Sequence, residues 1–395
     1  MLLMHIRACS IGPNELGGTA QLAWELAVDP ETDDVWLLHT PMNDHDEPPG
    51  PGAILHIEGE SHHLEEVKRL EMSNWPQLAF SAAGPLLAWT DAGQSTTKSR
   101  VELYDRESLG ALAERGLPSS SMVLSPSTEA FLSPFDEGAV VVDARLDRRA
   151  QLEAEHITWL PDGTLGSVSD DLLVQTWDLD GLNELSAVQL DLTDLNSEAP
   201  YITHEVHPSR EQLAVVVSDG GSYHLRVVEL ASGQVHAVPQ LGAGRYSGDG
   251  SVYVQATPTE LKVLDTESLE LDTQSLASVD NGRGIWVSED GSWVVVQGVE
   301  GALSLVDPAT GTHTAYSWDV GSFVVRGSEL WSVYEGQLGV LEVSGGELQV
   351  LELGTELQQL GHARNQDQIV VRSSDGEELI WVDPETHAVV ASKAL

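Results

Sequence analysis

The chain has 395 residues, 41% of them apolar, and carries 63 acidic against 19 basic side chains for a formal net charge of −44 at pH 7. So negative a surface repels phosphate backbones and anionic lipid, which argues against nucleic acid and membranes as partners, and no apolar run approaches the roughly 18 residues of a membrane span. Cys9 is the only cysteine, which excludes an intrachain disulfide, and His5 and Arg7 interrupt the first apolar stretch, so a cytoplasmic protein without a signal peptide is expected.

Taken in order, the chain is one short motif repeated. Met1 to Ile11 can form one extra strand, and residues 1–15 are expected to be a strand or arm preceding the repeats, which run from about residue 20 to 395 as a single domain. The first unit reads WELAV, DPETDD, VWLLHT, a long loop PMNDHDEPPGPG, AILHIEG and LEEVKRLEM. The second is QLAFS, PLLAWT, a loop DAGQSTTKS, RVELYD and ALAERGL. SMVLSPSTEAFLS with GAVVVDARLDRRAQLEA makes the third, whose first turn lacks glycine. Units four to six begin at HITWLPDG, YITHEVHPS and GRYSGDG. The seventh, Asn281 to Trp318, shows the pattern most clearly: GIWVS, a Glu-Asp-Gly turn, WVVVQG, ALSLVD, Pro-Ala-Thr-Gly and HTAYSW. SFVVRGSELWSVYEGQLGVLEV and LQQLGHARNQDQIVVRSSDGEELIWVDPETH open the last two.

Each run is rich in Val, Leu and Trp and is bounded by turn residues, the signature of short strands. The third strand repeatedly exits on an acid, as in ELYD, VVVD, QTWD, KVLD, SLVD and IWVD, at a mean spacing of about 41 residues. Four strands at that period predict an all-β chain folded as a single β-propeller of eight or nine four-stranded blades. Unit four, which ends its third strand on Trp177-Asp178, resembles a WD40 repeat. Units six, seven and nine, with VLDTESL, VDPATG and VDPETH, are similar to the YVTN and quinoprotein-like bacterial propellers, although the YVTN tetrapeptide and regular Gly-His dipeptides are missing. The resemblance implies the fold and little about function, since such propellers host both enzymes and scaffolds.

In a blade, the turns after strands one and three fall on one face of the disc, and the connections after strands two and four on the other. The first set is short and built on Asp-Gly and Thr-Gly turns. The second holds every long insertion: Pro41 to Gly52, Asp91 to Ser99, and Asp191 to Pro200. Insertions confined to one face mark a binding face. The expected partner-binding residues are therefore Asp44, His45, Asp46, Glu47, Trp75, Arg100, Asp194, Glu198 and Tyr201, with prolines 48, 49 and 51 stiffening the first loop. Trp75, in the connection between units one and two, is the expected aromatic anchor. The other face, with only tight turns, is expected to offer little adaptable surface.

Chemical motifs are few. His204 and His207 are three apart on a predicted strand, where a zinc-binding helix would need four, and His207 stands where other units have the first turn. Asp29, Asp33 and Asp34, and separately the acids of the first long loop, fit no calcium loop and read as solvated; His62-His63 reads as a surface turn. Trp36, Trp89, Trp159, Trp177, Trp286, Trp293, Trp331 and Trp381 occupy strand positions and read as packing between blades. No cofactor and no metal is expected.

The function expected is a non-enzymatic protein-binding scaffold, a rigid disc presenting its loop-rich acidic face to a protein partner with a basic surface. It would act as a monomeric propeller or as a subunit of a larger assembly. The alternative is a lactonase-like or other hydrolytic propeller with its site at the mouth of the central channel. The charge itself has two compatible readings, adaptation to concentrated salt and recognition of a basic partner. At 1 M salt the Debye length is about 3 Å, which removes most of the self-repulsion of −44 charges. The melting temperature should therefore rise by at least roughly 5 °C between low and molar NaCl, as followed by circular dichroism. A flat or falling curve rejects salt adaptation.

Overall fold

A computed structural model of the chain describes residues 22–23, 26–29, 32–39, 52–70, 77–80, 86–91, 99–105, 108, 110–117, 123–125, 130–135, 138–143, 145, 147–152, 156–179, 182–191, 201–219, 222–276, 284–297, 303–316, 323–334, 336–343, 348–374 and 377–395. Within these the chain forms strands and turns and no helix. The strands make nine antiparallel sheets, eight of four strands and one of five. They are the blades: Leu26–Leu70, Gln77–Leu117, Val123–Leu152, His156–Gln189, Tyr201–Pro239, Arg245–Ser275, Gly284–Tyr316, Phe323–Leu351 and Leu357–Ala394, numbered 1 to 9 here. Each is a simple meander, and the first strands of neighbouring blades lie against one another. In the middle of the chain His156–Trp159, Tyr201–Val206, Arg245–Tyr246 and Gly284–Val287 follow one another in this way around the axis.

Burial explains why the middle strands read as unbroken apolar runs. Val294–Val296 and Leu303–Val306 of blade 7 are buried at every position, because neighbouring blades cover both faces. Clusters such as Leu160, Val174, Leu213, Val215 and Val228 knit blade 4 to blade 5, and Val324, Trp331, Ile369 and Val371 knit blade 8 to blade 9. The fourth strands face solvent. Glu184–Gln189, Leu271–Ser275 and Ala388–Ala394 are mostly exposed and mix polar residues with a few apolar ones such as Leu185, Leu271, Val389 and Val390. Trp36, Trp331 and Trp381 are fully buried, as expected for inter-blade packing.

The two recurring sequence signals have clear physical roles. In the first turn, the Asp carboxylate accepts the amide two residues on: Thr164 at 2.9 Å, Ser251 at 2.8 Å and Ser292 at 3.0 Å for Asp162, Asp249 and Asp290. The glycine of that turn is obligatory in blade 6. Gly250 has φ +76° and a Cβ there would fall 2.2 Å from the His207 ring. At the exit of the third strand, Asp105, Asp143, Asp265, Asp307 and Asp383 each accept amides of the following turn. The Ser268 amide and hydroxyl hold the Asp265 carboxyl below its ordinary range. His207 substitutes for the serine of the first turn: its Nδ1 accepts the Ser209 and Arg210 amides at 3.2 and 3.1 Å, and its Nε2 donates to the Gly250 carbonyl at 3.0 Å.

Blade 9 packs directly on blade 1. Leu26, Val28, Val35, Leu37 and Ile57 share a core with Ala363, Val370, Leu379 and Trp381. Gly361 is needed for this approach, since a Cβ would come within 2.7 Å of Val28. The acidic turn of blade 1 proves structural rather than solvated. Asp33, fully buried with φ +61°, accepts the Asn365 amide at 3.1 Å and the Gln366 amide at 2.6 Å across the seam. Asp29 is buried as well, and Asp34 takes His56 Nε2 and the Gly59 amide, both at 2.9 Å. His62 does sit in a turn, but its ring packs 4.4 Å from that of Trp381 across the same seam. Arg326 extends the network to blade 8, holding Asp367 through two bonds of 2.6 Å and Glu385 through a third of 2.6 Å.

A short strand that the sequence reading did not anticipate, Leu22–Ala23, pairs with Gln77–Phe80 on the axial side of blade 2 and makes its sheet five-stranded. Residues 1–15, where an extra strand or arm was expected, lie outside the described residues.

Removing the Asp33 carboxylate strands two amides at the seam. Asp33→Ala should cost about 3 kcal/mol, read as a lower urea midpoint, whereas Asp162→Ala in an exposed turn should cost about 1 kcal/mol. Equal midpoints for the two variants would show that closure does not depend on this carboxylate.

Candidate functional site

Antiparallel order places the connections after second and fourth strands on one face, and all three insertions leave from such strand ends. Residues 40–51 follow Val35–His39, the second strand of blade 1, and residues 92–98 follow Leu86–Asp91, the second of blade 2. Residues 192–200 lie between the fourth strand of blade 4 and the first of blade 5. Asp44, His45, Asp46, Glu47, Trp75, Asp194 and Glu198 themselves lie outside the described residues. Arg100 and Tyr201 lie on strands. Arg100 is paired with Asp91 and Gly116 at the long-loop end of blade 2, and Tyr201 with Ser218 at the same end of blade 5. Blades 3 and 4 lie between them, so the structure does not bring these two together.

Sequence reading missed an aromatic on this face. Tyr223 lies in one cross-strand row with Ser218 and Tyr201 and is 46% exposed. It sits over the connection to blade 6, where a Cβ on Gly242 would fall 2.9 Å from its side chain, so only glycine lets the connection pass beneath it. The signal was present: an aromatic directly after the Asp-Gly-Gly-Ser hairpin of SDGGSYHL, a loop edge rather than a strand centre.

A second group gathers where first strands meet at the axis. Arg245 of blade 6 holds both oxygens of Glu205 of blade 5 through Nη1, each at 2.8 Å. Glu205 and Arg245 keep 23% and 40% of their side-chain surface accessible, as groups lining a narrow passage do. Burial pushes the Glu205 carboxyl up, with Arg245 opposing, while Glu205 holds the Arg245 guanidinium more firmly protonated. The ring of His204 lies 6.2 Å from that of His156 in blade 4, edge to face. Burial and the neighbouring His156 press the His204 pKa down to about 4, and burial lowers that of His156 too. The strand pleat puts His204 and Glu205 on opposite faces, so the histidine pair and the ion pair are separate. Among the described residues no three His, Cys, Asp or Glu converge as a metal site would require. The His204/His207 pair divides as well, since His207 is committed to its turn.

No protein-family model matches the sequence, and no curated protein does either. Solved structures do. The chain is similar to the C-terminal WD40 domain of Sif2, with 11% identity and a TM-score of 0.52 over 84% of this chain and 97% of that one. It is also similar to the dihydro-heme d1 dehydrogenase NirN in complex with DHE, with 13% identity and a TM-score of 0.51 over 76% of this chain and 72% of that one. The fold is a WD40-like β-propeller. At these identities the likeness carries the fold alone. Among the described residues no helix is long and apolar enough to cross a membrane.

A histidine held neutral in the fold leaves a mark on stability. The unfolded chain protonates it near its ordinary pKa of 6.5, and the folded chain only near 4. Between these values the unfolded state binds the extra proton, so stability is full above 6.5 and falls as pH drops toward 4. His204→Gln should flatten the unfolding free energy against pH between 6.5 and 4.5 by up to about 1 kcal/mol per pH unit. Superimposable profiles for the two proteins would refute the depressed pKa.

Proposed function

We propose that this chain is a protein-binding scaffold that presents its long-loop face to a partner with a basic surface. The observation that carries the reading is the placement of all three insertions on strand ends of one face. Two further features support it. The net charge of −44 favours a basic partner by long-range steering. Tyr223 adds an exposed aromatic at blade 5, the residue type that anchors interfaces. Propellers of this type commonly act as protein-interaction scaffolds. The closed Glu205–Arg245 pair suits a structural axis better than hydrolysis, because its carboxylate is already engaged at both oxygens.

The test is comparative capture. The partner recovered by the wild-type chain and identified by mass spectrometry is offered, purified, to three variants. Asp44, Asp46 and Glu47 changed together to Ser, and Trp75→Ala with Tyr223→Ala, should each weaken binding at least about tenfold. Glu267→Ser, an exposed acid in a turn of the opposite face, should leave it unchanged. Asp249 and Asp290 do not serve as controls because their carboxylates hold their own turns. Loss of binding in the Glu267 variant alone would place the partner on the other face.

A further inference from the structure

On the short-turn face the first turns of blades 5, 6 and 7 are joined edge to edge. His207 Nε2 donates to the Gly250 carbonyl at 3.0 Å, and the Gly248 and Asp249 amides donate to the Ser288 and Glu289 carbonyls at 3.3 and 2.7 Å. The belt stops at blade 8. There the first turn is only Gly327–Ser328, closing Arg326 directly on Glu329, and the Arg326 side chain is drawn away to Asp367 and Glu385 of blade 9. The space a longer turn would occupy is a cavity of about 750 Å³ between blades 7 and 8. The short-turn face, expected to offer little adaptable surface, thus carries a preformed cavity.

The lining is chemically specific. Trp286 and Trp293 border the cavity with their rings 4.6 Å apart and tilted by 38°. Leu305 and Val325 add apolar wall, and Glu289, Asp290 and Asp307 supply carboxylates beside one histidine, His313, with no Lys or Arg among the residues that line it. The Asp290 carboxyl is held below its ordinary range by the Ser292 hydroxyl and amide.

We propose that this cavity binds a small organic cation, an ammonium group carried on an aromatic or aliphatic body. Its volume falls within the range of small-molecule sites. The indole, Leu305 and Val325 walls would bury the hydrocarbon of such a ligand, and the acidic lining complements its charge. Asp290 and Asp307 already hold amides of their own turns, so a neutral ligand would gain the walls but leave their negative charge unmatched, and an anion would be repelled. The inference is independent of the long-loop face, and the failure of either leaves the other standing.

The probe is 3-phenylpropylammonium, titrated calorimetrically into the full chain at 0.5 M NaCl, so that diffuse attraction to the acidic surface is screened. Saturable one-to-one binding is expected, and the uncharged 3-phenylpropan-1-ol should bind at least about fivefold more weakly. Filling the cavity from its exposed rim with Ser292→Trp and Thr312→Trp should weaken the cation at least about tenfold, whereas Glu267→Ser should not. Thr314→Arg supplies a guanidinium from the chain itself, and should abolish probe binding and raise the melting temperature, which keeps the test decisive if the double variant folds poorly. Non-saturable binding, equal affinity for the alcohol, or affinity unchanged by Thr314→Arg would each overturn the assignment.

Discussion

Each blade has two apolar faces, and only another blade can cover them. That constraint governs the rest of the molecule. A row of such sheets has two raw ends, and burying both at once requires the ninth blade to meet the first. The contact is made by a shared core around Val28, Leu37, Val370 and Trp381, and is oriented by one carboxylate, Asp33, which accepts two amides of the last blade. Arg326 carries the same polar seam one blade further through Asp367. Hydrogen bonds of a charged group in a buried place have fixed geometry, so they set the angle at which the apolar faces meet. Burial supplies the energy, and the carboxylate supplies the register.

Against this frame the distribution of charge makes sense. Acids that look alike in the sequence divide into those that fix turns, such as Asp249, Asp265 and Asp290, one that clasps the seam, a few others that are buried or paired, such as Asp29, Asp34 and Glu205, and many that face solvent. Among the described residues of the first strands, Glu205 is matched by Arg245, and His204 is held neutral. Unpaired charge in so buried a place would be unscreened by salt, which favours such matching in a molecule with a strongly negative exterior.

The fold was legible because its signals are local. Asp at the end of the third strand and Asp-Gly in the first turn are read from neighbouring residues, and both report hydrogen bonds to amides two or three positions away. Closure was not legible. The role of Asp33 depends on Asn365 and Gln366, more than 300 residues distant, and nothing in DPETDD distinguishes a clasp from a solvated loop. The cavity under Trp286 and Trp293 was missed for a related reason. Its cause is the shortness of a turn in the next blade, and the tryptophans taken alone read as core. Of the expected site, the face follows from strand parity, while the side chains that would fill it fall mostly in the insertions. Tyr223 could have been found by asking which aromatics stand at hairpin edges.

The seam has a mechanical consequence. Blade 1 and blade 9 are each built wholly from contiguous chain, and no strand is exchanged between them. Parting them breaks side-chain contacts and the Asp33 bonds but unzips no ladder of main-chain hydrogen bonds. The disc is thus a split ring rather than a hoop, with a single weak joint. A load pulling the two end blades apart opens that joint first and leaves nine intact sheets in an arc, so the ring can spring shut again without refolding a strand.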